Sequence, residues 1–129
     1  GGNLKFDLKT WNSNLNIALC GVSNEPTLKT FKTIGEKFFE KRIELPILTA
    51  STLLVPGYVD EEEVRNIARF IGEINARIPY TLLAFYPQYV LNELPTTSRQ
   101  QANRCYEVAK RYVENVRIGN INLLSQNSN

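Results

Sequence analysis

The chain contains no histidine, no methionine, only two cysteines and a single tryptophan. No apolar run approaches the length that crosses a bilayer. Each absence removes a class of chemistry. Without histidine there is no imidazole acid or base, and no Ser–His or Cys–His pair for nucleophilic catalysis. Cys20 and Cys105 lie far apart in the sequence and do not make a zinc or cluster site. A disulfide between them is not expected in a reducing compartment. No signal-peptide pattern opens the chain, so the default address is the cytosol and no membrane contact is expected. Gly1 as first residue, with methionine missing throughout, is expected either of a processed chain or of a subcloned or proteolysed piece of a longer one.

Charge of one sign is scarce too. Fifteen Lys and Arg face thirteen Asp and Glu, a net +2 that is too small and scattered for a nucleic-acid stripe. What remains is an ordinary globular balance over 129 residues, 43% hydrophobic and 22% charged. That suits one domain, or part of one, with a packed core.

The pattern predicts strand, helix, strand, helix, strand, helix and a short last strand. Residues 4–9 alternate apolar with charged, the period of a strand. A polar turn is expected around residues 12–16, followed by a short apolar piece through Cys20. Asn24, Glu25 and Pro26 are helix-start chemistry, and Leu28, Phe31, Ile34, Phe38 and Phe39 follow a helical face. Residues 45–55 form an apolar second strand, closed by Pro56 and Gly57 as a turn. Asp60 and Glu63 resemble a capping box before the stripe Val64, Ile67, Ala68, Ile71 and Ile74. A third strand covers residues 81–85 and ends at Pro87, and Ser98 caps a helix with Ala102, Cys105, Tyr106, Ala109 and Tyr112 on one face. Cys105 reads there as a small buried apolar residue. Residues 116–118 read as the last strand and 125–129 as a polar tail. Strands separated by helices pair in parallel, so the class is α/β. Pattern alone allows both an open piece of a barrel and a small doubly wound sheet.

In either architecture a ligand meets the C-terminal ends of the strands. Asp7 and Lys9 lie two apart at the first such end, so a strand puts them on one face with Lys5. A carboxylate and an ammonium there can hold a zwitterion or an anion. The other reading is a solvent-facing ion pair on an edge strand. Ser51 and Thr52 sit inside an apolar strand, where buried hydroxyls need partners. A neighbouring carbonyl or a polar ligand would serve. Phe85 and Tyr86 offer a stacking face at the third strand end, or simply core.

Four segments occur in a familiar order: Phe6-Asp7-Leu8-Lys9, Leu19-Cys20-Gly21-Val22-Ser23-Asn24, Leu54-Val55-Pro56-Gly57-Tyr58-Val59-Asp60 and Leu82-Leu83-Ala84-Phe85-Tyr86-Pro87. Across residues 1–124 the chain resembles the second half of the pyruvate formate-lyase-activating enzyme family of the radical S-adenosylmethionine (SAM) superfamily. Its end, Ile118-Gly119-Asn120, is similar to an activase-like branch of unassigned substrate. The resemblance implies a partial parallel (β/α) barrel, of which this chain carries about three βα units plus a short last strand. It implies SAM and a [4Fe–4S] cluster as cofactors. The cluster-binding CxxxCxxC motif and the glycine-rich SAM segment belong to the family's first half and have no match here. Lys9 resembles the lysine that reaches bound SAM, and Asp7 its companion acid. Ser51 falls where activating enzymes often carry an arginine near the ribose, Leu53 and Val55 on the adenosine side, and Tyr86 where many relatives carry a histidine. The Ser51 and Tyr86 departures point toward the activase-like branch or a changed substrate.

The intact enzyme so implied cleaves SAM reductively to methionine and a 5′-deoxyadenosyl radical that abstracts hydrogen. This part alone, without the cluster cysteines, is expected to be inactive and to hold neither cofactor stably. Its expected partner is the N-terminal half of the same protein. Self-association through an exposed sheet edge or the open barrel face is also expected. The competing reading is a self-contained α/β module that binds a small anion through Asp7 and Lys9, or an interaction domain that docks a partner on its sheet edge.

Overall fold

A computed structural model describes residues 3–38, 47–85 and 97–119. Four strands, β1 (Asn3–Asp7), β2 (Ile47–Leu54), β3 (Tyr80–Ala84) and β4 (Val116–Gly119), form one parallel sheet in the order β1-β2-β3-β4. Between them run α1 (Ser13–Cys20), α2 (Glu25–Phe38), α3 (Glu61–Asn75) and α4 (Arg99–Ala109).

That strand order decides between the two architectures left open by pattern. A doubly wound sheet reverses direction partway and covers both faces with helices. Here each new strand adds beside the last, and α3 packs against both α2 and α4. α2, α3 and α4 thus share one face. Along β2, Leu48, Ala50, Thr52 and Leu54 are buried while Thr49, Ser51, Leu53 and Val55 are half-buried. Along β3, Tyr80, Leu82 and Ala84 are buried and Thr81 and Leu83 are not. One face is the core and the other is open, the geometry of a barrel sector.

Local sequence explains most elements. The stripe Val64, Ile67, Ala68 and Ile71 buries α3, and Asp60 caps it by accepting from Glu63 N at 3.0 Å. Ser98 caps α4 in the same way through Gln101 N, and Ala102, Cys105, Val108 and Ala109 form its buried face. Gly57 adopts φ +82° in the turn after β2, a conformation that favours glycine. Phe31, fully buried on α2, meets Phe6 of β1 and Phe70 of α3 at ring separations of 5.4 and 6.1 Å.

Two expectations need correction. The region read as a polar turn is α1, which starts at an Asn12 cap and ends at Gly21 with φ +81°. β1 stops at Asp7, so Lys9 lies beyond the strand. Asn24 stands at the cap position of α2, where its carbonyl accepts from Leu28 N at 3.0 Å, but its side-chain amide donates to the carbonyls of Thr10 and Trp11, both at 2.9 Å. The expected features at Leu45, Phe39, Tyr86, Pro87, Asn120 and the 125–129 tail lie outside the described residues.

Thr52 settles the question of buried hydroxyls on the core side. It donates to Leu8 O at 2.7 Å and accepts from the fully buried Tyr80 hydroxyl at 2.7 Å. A carbonyl, not a ligand, satisfies it.

Candidate functional site

The C-terminal end of β1 runs into a loop held from several sides. Thr10, fully buried, donates to Asn16 Oδ1 at 3.1 Å and to Asn12 O at 3.0 Å. Asn16 in turn donates to Val22 O at 2.7 Å. Asn24 takes up the two carbonyls already named. Glu63 of α3 accepts from Trp11 N at 2.7 Å and from Asn12 N at 3.2 Å. Asn12 caps α1 by accepting from Leu15 N at 3.0 Å. The backbone just past Lys9 is therefore fixed by side chains of α1, α3 and the segment before α2.

Beside this loop, at the C-terminal ends of β1, β2 and β3, lies a cleft of about 430 Å³. Lys9 borders it, and Leu53, Val55, Tyr58 and Phe85 supply apolar walls, together with Ala18, Leu19 and Cys20 of α1. Its volume falls within the roughly 300–1,000 Å³ of small-molecule sites, and an apolar lining with few polar groups is the usual composition.

Asp7 and Lys9 form an ion pair, half-exposed on both sides. The hydrogen bond to Asp7 raises the Lys9 ammonium above its ordinary pKa, opposed by partial burial. At that exposure the pair adds at most about 1 kcal/mol to stability. The pair links the last residue of β1 to the loop beyond it and stands at the rim of the cleft.

Of the expected site residues, Lys9, Leu53 and Val55 meet in one cleft. Asp7 reaches it through its partner Lys9. Ser51 does not line the cleft; it stands in register with Asp7 on the open face, one pleat short of Leu53. Tyr86 lies outside the described residues. Sequence reasoning missed Tyr58, Ala18 and Leu19. Exposed Tyr58 and Leu19 carry the available signal, being large apolar groups left partly in water.

The cysteines do not converge on a cluster. Cys105 faces the core on α4, where burial pushes its thiol up to about 12, while Cys20 is half-buried on α1. Among the described residues no group of three or more His, Cys, Asp or Glu is arranged to hold a metal ion. These residues therefore do not fit a [4Fe–4S] site. Also among the described residues, no helix is long and apolar enough to cross a membrane.

No protein-family model matches the chain. A protein of Methanocaldococcus jannaschii assigned as a glycyl-radical enzyme activating enzyme is 29% identical over 115 residues, 88% of this chain and 42% of that protein. The isethionate sulfite-lyase activating enzyme of Desulfovibrio desulfuricans is 35% identical over 82 residues, 63% of this chain and 24% of that enzyme. The chain thus spans less than half the length of these relatives. A crystallised domain of a pyruvate-formate lyase-activating enzyme from Bacteroides vulgatus superposes with a TM-score of 0.73 at 24% identity, over 90% of this chain and 66% of that domain. The resemblance to activating enzymes carried by the four segments is borne out by these relatives, and the open parallel α/β sheet by the superposition.

Proposed function

We propose that the chain is the C-terminal sector of a radical SAM activating enzyme and that its cleft holds part of SAM. The observation that carries the reading is the meeting of Lys9, Leu53 and Val55 in one cleft at the strand ends, in a chain similar to activating enzymes.

The described residues suit the SAM part of that assignment. Leu53, Val55, Tyr58 and Phe85 would bury the adenosine and exclude water from it, and Lys9 would donate to a carboxylate of the ligand. Asp7 would hold the Lys9 ammonium charged and aimed. When bound, SAM would supply the radical hydrogen-abstraction chemistry, and these residues would hold and shield it. The cluster itself is assigned to thiolates outside this chain, since its own two cysteines do not fit one.

Calorimetry on the intact protein tests the reading. Lys9→Ala removes a charge-assisted hydrogen bond of about 1.5–3 kcal/mol, so SAM affinity should fall roughly ten- to a hundredfold. Lys29→Ala, on the exposed side of α2, should bind as the wild type. Equal dissociation constants for the two variants would place Lys9 outside the site.

A further inference from the structure

Glu63 occupies the third position of α3, where a capping-box carboxylate normally turns back to its own cap residue. Asp60 performs its half of that motif, but Glu63 does not turn back. Its Oε1 reaches across 52 and 51 residues of sequence to the backbone N–H groups of Trp11 and Asn12. One carboxylate thus satisfies two successive amides, through charge-assisted bonds stronger than neutral ones. Two turns further along the same helix, Phe70 packs on the Trp11 ring at 5.5 Å. α3 therefore grips the loop at its backbone and at its largest side chain.

Two features of the cleft depend on that grip. Lys9 stands two residues before Trp11, at the cleft's edge. Asn12 is the cap of α1, so pinning its amide fixes the start of the helix whose far end brings Ala18, Leu19 and Cys20 to the cleft. Asn24 secures the carbonyls of Thr10 and Trp11, and Glu63 the amides of Trp11 and Asn12, so the loop backbone is held through both its donors and its acceptors.

We propose that Glu63 is a positioning residue, a latch from α3 that holds Lys9 and α1 at the spacing the ligand requires. The proposal rests on the reading of the cleft as a SAM site, and its test separates the two. Three variants are compared: Glu63→Ala, Glu63→Gln and Asp60→Ala. The last weakens the same helix end while leaving the Glu63 carboxylate in place. In this chain, amide hydrogen exchange at Trp11 and Asn12 should quicken at least about tenfold in Glu63→Ala, by loss of a charge-assisted bond. Glu63→Gln keeps an acceptor oxygen and should lie nearer the wild type, and Asp60→Ala should match the wild type at those two amides. In this chain, fluorescence of Trp11, its single tryptophan, reports the loop directly, and in the intact protein SAM affinity should follow the same ranking.

Unchanged exchange in Glu63→Ala would overturn the latch. Equal acceleration in Asp60→Ala would overturn it as well, by tracing the effect to a weakened helix end. Selective acceleration with unaltered SAM affinity would overturn the positioning role. An intact wild-type protein that binds no SAM would sink the functional reading, and the exchange pattern would still decide the latch.

Discussion

At the scale of single residues, the ionisable groups of the core make a sharper statement than those of the surface. Tyr80 is fully buried, and burial holds its phenol well above the ordinary value of 10.0, with the Thr52 hydrogen bond acting in the opposite direction. Burial likewise pushes Cys105 from 9.0 up to about 12. In both cases the unfolded chain gives up its proton first as pH rises. The folded state then binds more protons, so stability must fall with increasing pH. Cys105 alone should lower it by about 1.4 kcal/mol per pH unit above pH 9, and Tyr80 should add a second slope above pH 10. Urea unfolding between pH 8 and 10.5 measures this, and Cys105→Ala should remove the loss between pH 9 and 10. A slope unaltered by that substitution would mean the thiol titrates as it does in water.

Residue chemistry was legible in the sequence where it is local and obscure where it is not. The Asp60 and Ser98 caps lie three residues from their targets, and both are made. Cys105 sits on an apolar helical face and is buried as that face implies. Glu63 fits the same local motif, yet its partners are 51 and 52 residues away and nothing in the spacing points to them. Thr52 declared a need for a partner without naming Leu8 or Tyr80.

At the scale of elements, apolar periodicity found the helices that bury an apolar stripe and missed the one that does not. α3 buries Val64, Ile67, Ala68 and Ile71, whereas the buried residue of α1 is Asn16. Ile17 and Leu19 stay partly in water. A helix held by an Asn cap, a Gly terminus and a buried amide reads in sequence as a polar turn. The cleft wall formed by Ala18, Leu19 and Cys20 was hidden with it.

The contact of α3 with the turn after α4 shows how tightly the helix layer is set. A Cβ at Gly72 would lie 2.4 Å from the Tyr112 carbonyl oxygen. Backbone, not a flexible side-chain end, would have to move. Alanine gains about 1 kcal/mol over glycine in helix propensity, while overpacking costs about 1–3 kcal/mol. Steric cost should win, and Gly72→Ala should lower stability by about 1 kcal/mol in urea unfolding. A stabilised variant would show that the turn yields.

At the scale of the whole molecule, the order β1-β2-β3-β4 with α2, α3 and α4 on one side leaves three surfaces unsatisfied among the described residues. β1 and β4 each pair on one side only, and the open face carries half-buried Leu53, Val55 and Leu83. Unpaired strand edges template further pairing, and exposed apolar area favours association. We propose that the chain alone self-associates through an edge or the open face, and that the rest of its parent protein covers these surfaces when present. Lys5 and Lys9 on β1 and just beyond it oppose edge pairing without abolishing it. Sedimentation at micromolar concentration should give a dimer or larger species. A clean monomer would favour a self-contained module.

The apolar run of β2 and the regular succession of strands and helices made parallel α/β structure legible, but strand order is a long-range property and periodicity left it open. The four resembling segments carried the choice of a barrel sector, which the strand order then matched.

The central claim is that this chain is part of a protein that cleaves SAM reductively. The direct measurement is anaerobic reconstitution of the full-length product of its reading frame with iron and sulfide, followed by reduction in the presence of SAM and chromatography for 5′-deoxyadenosine. The account predicts 5′-deoxyadenosine, in amounts sharply reduced by Lys9→Ala. A cluster-loaded, reduced protein that leaves SAM intact would contradict it.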